Sequence, residues 1–578
     1  MATPPSPEPG PSNWDLISME LSGMMSPSHI NLSDMPCIDA IISDAELYGI
    51  LAQDVDNFLE DLVNENTEDE EAVCAEDQLE QDVENTTDCP PRAPRAPTTD
   101  WFNGNPSNMA EIPFTGTPGL LPPHNMSGKT PIDFFFLFFN SRIIDLILNC
   151  TNKCGNELKI AARTAQARFT KWKEISLEEF TVFIGIILFM GTVKVNRMAE
   201  YWSRHYLMRL SPHSFMARDR FYLILRALNV QDEMRPESIF KVKSLIDMFN
   251  ETMSTTYYPS NNVAIDESLI LWKGRLSFRQ YLKGKVHRYG IKLYMLADMN
   301  GLVIKIHLYA GSGDQLVGGK NHVKKVVMLL IEKYLNKGHS LYIDNYYSSV
   351  GLAEELLDKN TYVTGTLRAK RAGNPTLINI KLNTGESCIV HNSKKIVVTK
   401  WQDKREVLLL SSQHKSIYKG TNSRRIRTIK YKPDVLIQYN KYMRAIDRHD
   451  QLLSYYSCKH KTLRWYKKVI IHLIQICLVN SFLLYREISK SNIELYDFRK
   501  SVLENLLKPP TVPQRSLVER KIHLPSTFTK SGGRTMRKRC RVCYSKTKKR
   551  NLVMYGCSDC PEFPGLCLTP CFREYHKY

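Results

Sequence analysis

The chain has 578 residues, 43% of them hydrophobic, and a formal net charge of +18. At roughly 100–200 residues per domain this length predicts several domains, each able to bury a core, and the composition excludes collagen, coiled-coil and small disulfide scaffolds. The charge is uneven: residues 1–100 carry 23 Asp/Glu and 2 Lys/Arg, net −21, which leaves 76 basic and 37 acidic residues, net +39, for 101–578. A body that basic points to a polyanionic partner, nucleic acid above all.

The longest apolar runs, Phe134–Phe139 and Val182–Met190, fall short of the ~20 residues that span a bilayer. The first 30 residues hold Glu8, Asp15 and Glu20 and no Lys or Arg, which is wrong for a signal peptide. A reducing, intracellular compartment is expected, where the 14 cysteines serve as core residues or metal ligands.

In chain order, residues 1–110 read as a disordered acidic tail, too poor in apolar surface to offset its ordering entropy. Residues 111–262 read as helical: Glu178–Met190, Phe215–Asn229 and Lys241–Met253 space apolar residues by three and four. Ser176 followed by Glu179 predicts a capping box. Residues 263–370 change period to short strands (Val263–Ile265, Ile291–Leu296, Leu302–Leu308), then helix, strand, helix and strand, an α/β pattern with a mixed sheet. Residues 371–432 read as a β-rich insertion, and 367–432 hold sixteen Lys/Arg against three acids. Helices return in 433–456 and 457–520, and 521–578 form a Cys-rich terminus.

Two apolar runs end in an acid: Val263-Ala-Ile-Asp266 and Leu341-Tyr-Ile-Asp344. Open α/β sheets bind ligands at the carboxyl ends of their strands, although an isolated strand-end Asp usually just starts a turn. Asp447 and Asp450 lie at i and i+3 on an expected helix and so share a face. Three carboxylates at one locus suit Mg²⁺ (or Mn²⁺), hard ions that prefer oxygen; two such ions serve in-line phosphoryl displacement. Gly311-Ser-Gly313 lacks the third glycine of a dinucleotide loop, the Gly313–Lys320 stretch misses a Walker A spacing, and no HExxH occurs.

The block from Ala264 to Arg275 (AIDESLILWKGR) resembles the first catalytic block of piggyBac transposases; Tyr342–Tyr347 (YIDNYY) is similar to the second, Tyr439–Asp450 (YNKYMRAIDRHD) to the third, and Phe114-Thr-Gly116 to an opening motif. The resemblance covers most of 110–578. It implies a multidomain α+β protein with an RNase H-like α/β core, a β-rich insertion, a flanking helical dimerisation and DNA-binding domain and a C-terminal zinc-binding cross-brace module. It implies a cut-and-paste DNA transposase with Asp266, Asp344 and Asp447 as the Mg²⁺-binding triad and Asp450 as an auxiliary acid. Such an enzyme cleaves at transposon ends, joins 3′-hydroxyls to TTAA sites and works as a homodimer in the nucleus. The alternative is a host-domesticated descendant that binds DNA and no longer transposes.

Cys540-x2-Cys543, Cys557-x2-Cys560, Cys567-x3-Cys571 and His576 fall within 37 residues, and His523 lies 17 residues before Cys540. Two CxxC pairs at this spacing signal zinc, and two closed tetrahedral sites need eight ligands. The expected division puts Cys540, Cys543, Cys557 and Cys560 at one site. Cys567, Cys571 and His576 would make the other, with His523 or water in the last position. Basic clusters nominate Lys285, Arg288, Lys292, Lys461, Arg464 and Lys468, with Trp465, as DNA contacts. Residues 534–550 hold nine Lys/Arg and no acid, which suits a nuclear localisation signal or a DNA contact.

Overall fold

A ten-residue strand, β2 (Asn262–Leu271), organises the larger part of the fold. In the computed structural model the described residues are 100–576 apart from 165, 206–209, 233–237, 283–287, 423–428, 459–461, 509–522, 530–532 and 534. The chain divides into two compact units between Lys508 and Pro509. Most of the expected acidic tail, residues 1–99, lies outside the described residues.

Five strands form the centre of a mixed sheet: β2, then β4 (Tyr289–Asp298), β5 (Val303–Leu308), β6 (Ser340–Ile343) and β7 (Tyr362–Thr366). Their order is β5-β4-β2-β6-β7: the first three run antiparallel, while β2, β6 and β7 run parallel. Third, second, first, fourth, fifth is the RNase H-like arrangement the resemblance implied. Parallel neighbours require crossovers, and helices α6 (His322–Ile331) and α7 (Val350–Asp358) supply them before β6 and β7. β4 is buried along almost its whole length, and so reads as a continuous apolar run instead of an alternating one. The free edge of β5 is closed by two amides. Asn250 bonds both backbone groups of Ile306 at 2.8 Å, and Asn480 those of Val303 at 2.8 and 2.9 Å. An edge strand is a template for unwanted pairing, and these amides occupy it.

The sheet extends beyond these five strands. β1 (Trp101–Asn103), β3 (Gln280–Tyr281), β8 (Ser387–Asn392), β9 (Val397–Gln402) and β10 (Glu406–Ser411) bring it to ten strands, ordered β1-β8-β9-β10-β7-β6-β2-β4-β3 with β5 on β4. Two expectations change here. The 371–432 segment does carry strands, but β10 pairs with β7 (Leu409↔Thr366 to Ser411↔Thr364), so three of them continue the core sheet. The reason is physical: β7 presents an unpaired row of backbone groups, and β10 satisfies it. Among the described residues of that segment, only the antiparallel pair β11 (Tyr418–Asn422) and β12 (Ile429–Pro433) forms a sheet of its own. Likewise, Trp101–Asn103, assigned to the tail, pairs with β8 and joins the sheet edge.

Helices α1 (Pro131–Phe138), α2 (Ser141–Ile160), α3 (Leu177–Thr192), α4 (Arg218–Ala227) and α5 (Lys243–Thr256) fill the first half as expected. The Ser176 side chain accepts the Glu179 N–H at 3.2 Å, half of the expected capping box. Glu179 itself turns to Arg220, bonded at 2.6 and 2.7 Å, because a bidentate charged pair outweighs a single backbone donor. The helical stretch expected in 433–456 is two helices: α8 (Asp434–Tyr442) and α9 (Ala445–Tyr455). α10 (Trp465–Ser489) is long and apolar enough to cross a membrane, but 83% of its apolar window is buried inside the fold, where it packs on α1. α11 (Leu495–Leu506) completes this unit.

The second unit is built on two short antiparallel pairs. β13 (Pro525–Thr527) pairs with β16 (Tyr555–Cys557), and β14 (Lys538–Arg539) with β15 (Leu552–Val553). Helices α12 (Arg541–Thr547) and α13 (Cys571–His576) each begin at or beside a cysteine.

Candidate carboxylate and zinc-binding sites

Parallel pairing of β2 with β6 ends at Ile265↔Ile343, so Asp266 and Asp344 follow side by side. Asp344 leaves its strand there, as expected. Asp266 does not: β2 runs on to Leu271 against β4, so this acid sits in mid-strand, at the point where its parallel neighbour stops. Asp344 starts a tight turn. Its Oδ1 accepts the Tyr346 N–H at 2.9 Å, and its carbonyl accepts the Ser348 N–H at 3.1 Å. A Cβ on Gly365 of β7 would lie 2.3 Å from Ser348 Oγ and 2.5 Å from the Ile343 carbonyl, so glycine is what lets the turn seat against the sheet.

The third acid arrives on α9. The break before this helix places Asp447 in its first turn, where the helix dipole favours negative charge. Two contacts hold the helix. Ser268 Oγ donates to Asp450 Oδ1 at 2.7 Å, and buried His449 donates Nδ1–H to the Gly301 carbonyl at 2.8 Å. Gly301 closes the β4–β5 turn at φ +90°, and a Cβ there would stand 3.0 Å from the Ala445 carbonyl. Burial pushes the His449 imidazole down to about 4, so it stays neutral as a clamp.

One phenol reports on the whole group. Tyr439 on α8 is pushed up to about 12, first by burial, and then by the negative charges of Asp344, Asp266 and Asp447 against a hydrogen bond to Thr366 that acts the other way. The register of β2 with β6 sets Asp266 beside Asp344, and the Ser268–Asp450 bond brings the first half of α9 to the same strand. Asp344 is itself raised above the usual carboxylate range by burial and then by Glu267, with the N–H groups of Tyr346 and Tyr347 and the charge of Arg368 opposing. An all-oxygen donor set suits a hard divalent cation. Among the described residues, the sets of three or more His, Cys, Asp or Glu ligand atoms lying within 4.8 Å of one another are two cysteine and cysteine–histidine groups; the carboxylates of Asp266, Asp344 and Asp447 stand further apart.

Those two groups lie in the second unit: Cys540, Cys543, Cys567 and Cys571 in one, His523, Cys557, Cys560 and His576 in the other. All eight expected ligands are present, but the expected division is wrong. The two CxxC pairs belong to different sites, and the ligands interleave as a cross-brace: the outer group, which spans 523–576, places Cys557 and Cys560 between the two cysteine pairs of the inner group, which spans 540–571. Pairing of β13 with β16 sets Pro525 opposite Cys557 and so delivers His523 to the outer group. Sγ–Sγ separations of 3.5 Å (Cys543–Cys571) and 3.7 Å (Cys543–Cys567) are far too long for disulfides. They approximate the ~3.8 Å edge of a tetrahedron with Zn–S near 2.3 Å. In the outer group His523 Nδ1 lies 3.2 and 3.4 Å from the sulfurs of Cys557 and Cys560, and His576 Nε2 lies 3.3 Å from Cys560. His576 Nδ1–H donates to the Phe572 carbonyl at 2.8 Å, which leaves Nε2 as the ligating atom. Burial raises the Cys540 thiol, yet N–H donation from Cys543 and Cys567 outweighs it and brings the group down to about 7, toward the thiolate that zinc requires.

The nominated DNA contacts fare unevenly. Arg288 and Arg464 are exposed. Lys285 and Lys461 lie outside the described residues. Lys292 is 2% exposed, with its ammonium 4.8 Å from the rings of both Tyr294 and Tyr346. Trp465 is buried edge-on to Phe278, and Lys468 donates to the Leu271 carbonyl at 3.1 Å beside the Trp272 ring. Lys292 and Trp465 are thus interior groups, stabilised by aromatic faces. Tyr439 and Glu267 were not singled out from the sequence, although both stand inside the blocks quoted above.

Residues 130–482, more than half the chain, match the family model described as Transposase IS4, and residues 521–577 match the one described as DDE_Tnp_1-like zinc finger. Human PiggyBac transposable element-derived protein 3 is 23% identical over 481 residues, covering 78% of this chain and 76% of its own. Human PiggyBac transposable element-derived protein 2 is 25% identical over 485 residues, covering 77% and 76%. In fold, the chain is similar to the piggyBac transposase of a synaptic complex with hairpin DNA solved by cryo-EM: TM-score 0.60, 24% identity, 78% of this chain and 98% of that one. The chain belongs to the piggyBac transposase family.

Proposed function

We propose that this protein is a divalent-ion-dependent DNA transposase that cleaves strands at transposon ends and joins the freed 3′-hydroxyls to TTAA target sites, as a homodimer in the nucleus. The observation that carries the reading is the parallel register that sets Asp266 beside Asp344, with the Asp447-bearing helix tied to the same strand through Ser268 and Asp450. The solved relative whose fold it shares is described as a transposase with hairpin DNA. Asp266, Asp344 and Asp447 would hold Mg²⁺ or Mn²⁺, with Asp450 beside them. Bound ions of this kind lower the pKa of an attacking water or hydroxyl and stabilise charge on the departing oxygen. In cleavage a water oxygen bonds to phosphorus, the P–O3′ bond breaks, and the 3′-oxygen leaves with the electron pair and gains a proton. In joining, the 3′-hydroxyl oxygen attacks a target phosphorus and loses its proton, and the target 3′-oxygen leaves. One constellation serves both, since only the nucleophile changes.

A second reading, a descendant that binds DNA through its zinc unit and no longer transposes, is favoured by the names of the human relatives, which are transposable element-derived proteins. Excision of a marker flanked by the element's terminal repeats separates the two: restored donor sequence supports the enzyme, and none supports the descendant.

The hairpin of β11 and β12 offers a phosphate contact. Lys419, exposed and directly opposite Lys432, already pairs with Asp434 at 2.9 Å, and Tyr431 is 67% exposed between basic neighbours. Changing both lysines to serine is expected to lower the slope of log K against log salt by roughly 1–2, at about 0.9 per lost contact. Lys292→Met, by contrast, should leave that slope unchanged while lowering the melting temperature; a reduced slope for Lys292→Met would place this residue on DNA after all. For nuclear import, a fluorescent fusion with the nine basic residues of 534–550 changed to serine is expected to leave the nucleus, and unaltered import would exclude that run as the signal.

A further inference from the structure

Neighbouring residues of a strand project to opposite faces of a sheet. Ser268 reaches Asp450 on α9, so Asp266, two residues earlier, shares the α9 face. Glu267 therefore points behind the sheet. There Tyr347 Oη donates to Glu267 Oε2 at 2.8 Å. Tyr347 is 1% exposed and belongs to the turn that Asp344 starts. Across the ladder Glu267 faces Tyr294, whose ring lies 6.2 Å from that of Tyr347 and whose hydroxyl meets His322 Nε2 at 2.8 Å. Tyr346, the other aromatic of the turn, stands perpendicular to Tyr347 at 5.1 Å and covers the Lys292 ammonium. Tyr347, buried, and Tyr346, half-buried, thus pack from the Asp344 turn onto polar side chains of β2 and β4.

We propose that Glu267 and Tyr347 are positioning residues: from the far face of the sheet their hydrogen bond locks the turn bearing Asp344 to the strand bearing Asp266, and so sets the spacing of two divalent-ion ligands. This rests on the reading of those acids as ion ligands. Packing alone does not demand the bond, because phenylalanine would fill the same space. The hydroxyl makes the difference by tying the turn to the residue next to Asp266. The Glu267 charge adds to the negative potential behind Asp344, which a bound cation would relieve.

The test is Mn²⁺ binding to the full-length, zinc-loaded protein, read from the loss of the free-ion electron paramagnetic resonance signal. Wild type should bind, and Asp266→Ala and Asp344→Ala should not. Tyr347→Phe and Glu267→Ala are expected to weaken Mn²⁺ by ~10–100-fold, the usual effect of losing a partner that orients a ligand. Glu267→Gln, which still accepts from Tyr347, should recover most of that loss. Because Tyr347→Phe removes a donor from the half-buried Glu267 carboxylate, the paired variant Tyr347→Phe with Glu267→Leu is measured beside it, with the melting temperature of each. Wild-type affinity in Tyr347→Phe, or in a paired variant that melts like wild type, overturns the proposal. Undiminished binding in Asp266→Ala and Asp344→Ala instead overturns the ion site itself, so the two failures are distinguishable.

Discussion

Asp344→Asn is expected to reduce strand cleavage at transposon ends by at least ~10³-fold while DNA binding and folding persist. Partners that merely orient a ligand are worth 10–100-fold, and a ligand lost outright should exceed that. Asparagine is chosen over alanine for a structural reason. Asp344 Oδ1 accepts the Tyr346 N–H at 2.9 Å, and an amide oxygen keeps that bond while removing the charge. Alanine would open the turn as well, and lost activity could then reflect lost shape. The assay is plasmid excision with flanking repeats, wild type beside Asp344→Asn, Asp266→Asn and Asp447→Asn. These acids act as a unit, so a double variant should be hardly worse than either single one. Wild-type excision by any single variant would refute the triad. Loss of DNA binding in parallel with cleavage would assign that acid a structural role instead.

Chelation of zinc is expected to unfold the C-terminal unit and leave the rest of the chain folded. The apolar core there is small, centred on Cys557, Leu566 and Phe572. Burying Leu566 and Phe572 contributes about 1.5–3 kcal/mol each. Structural zinc supplies roughly 10–16 kcal/mol per ion, and metal-binding free energy of this kind is folding free energy. The full-length protein should hold two zinc ions per chain. Cys571→Ser should lose the inner ion and His576→Ala the outer one, since the two groups share no ligand. Thiolates and imidazoles must shed protons to ligate, so acid should release zinc and base retain it. A stoichiometry of one, or a variant of one group that empties both while the unit stays folded, would contradict the interleaved arrangement. End-specific DNA binding that survives chelation would leave this unit only its charge as a contribution.

Local chemistry was legible along the chain because it depends on neighbours in sequence. Short β-rich runs within 263–308, three-and-four spacing at 178–190 and 241–253, and CxxC pairs all depend on residues close in sequence, and each appears in the fold. The eight zinc ligands and the acids of the three blocks were nameable for the same reason. What the sequence could not determine was which of these pieces meet. Backbone hydrogen bonding carries little residue identity, so nothing in Val407–Leu410 announces that β10 will extend the core sheet on β7. The CxxC pairs have no label for their partners; the pairing of Pro525 with Cys557 decides that His523 joins Cys557 and Cys560. A lysine in a basic run looks the same whether it faces water or, like Lys292, lies 4.8 Å from two tyrosine rings. The residue types were set by sequence, and their roles by the tertiary contacts that bury, pair or expose them. Asp266, in mid-strand, shows both: its identity lay in one short block, and its place beside Asp344 came only from the parallel pairing of β2 with β6.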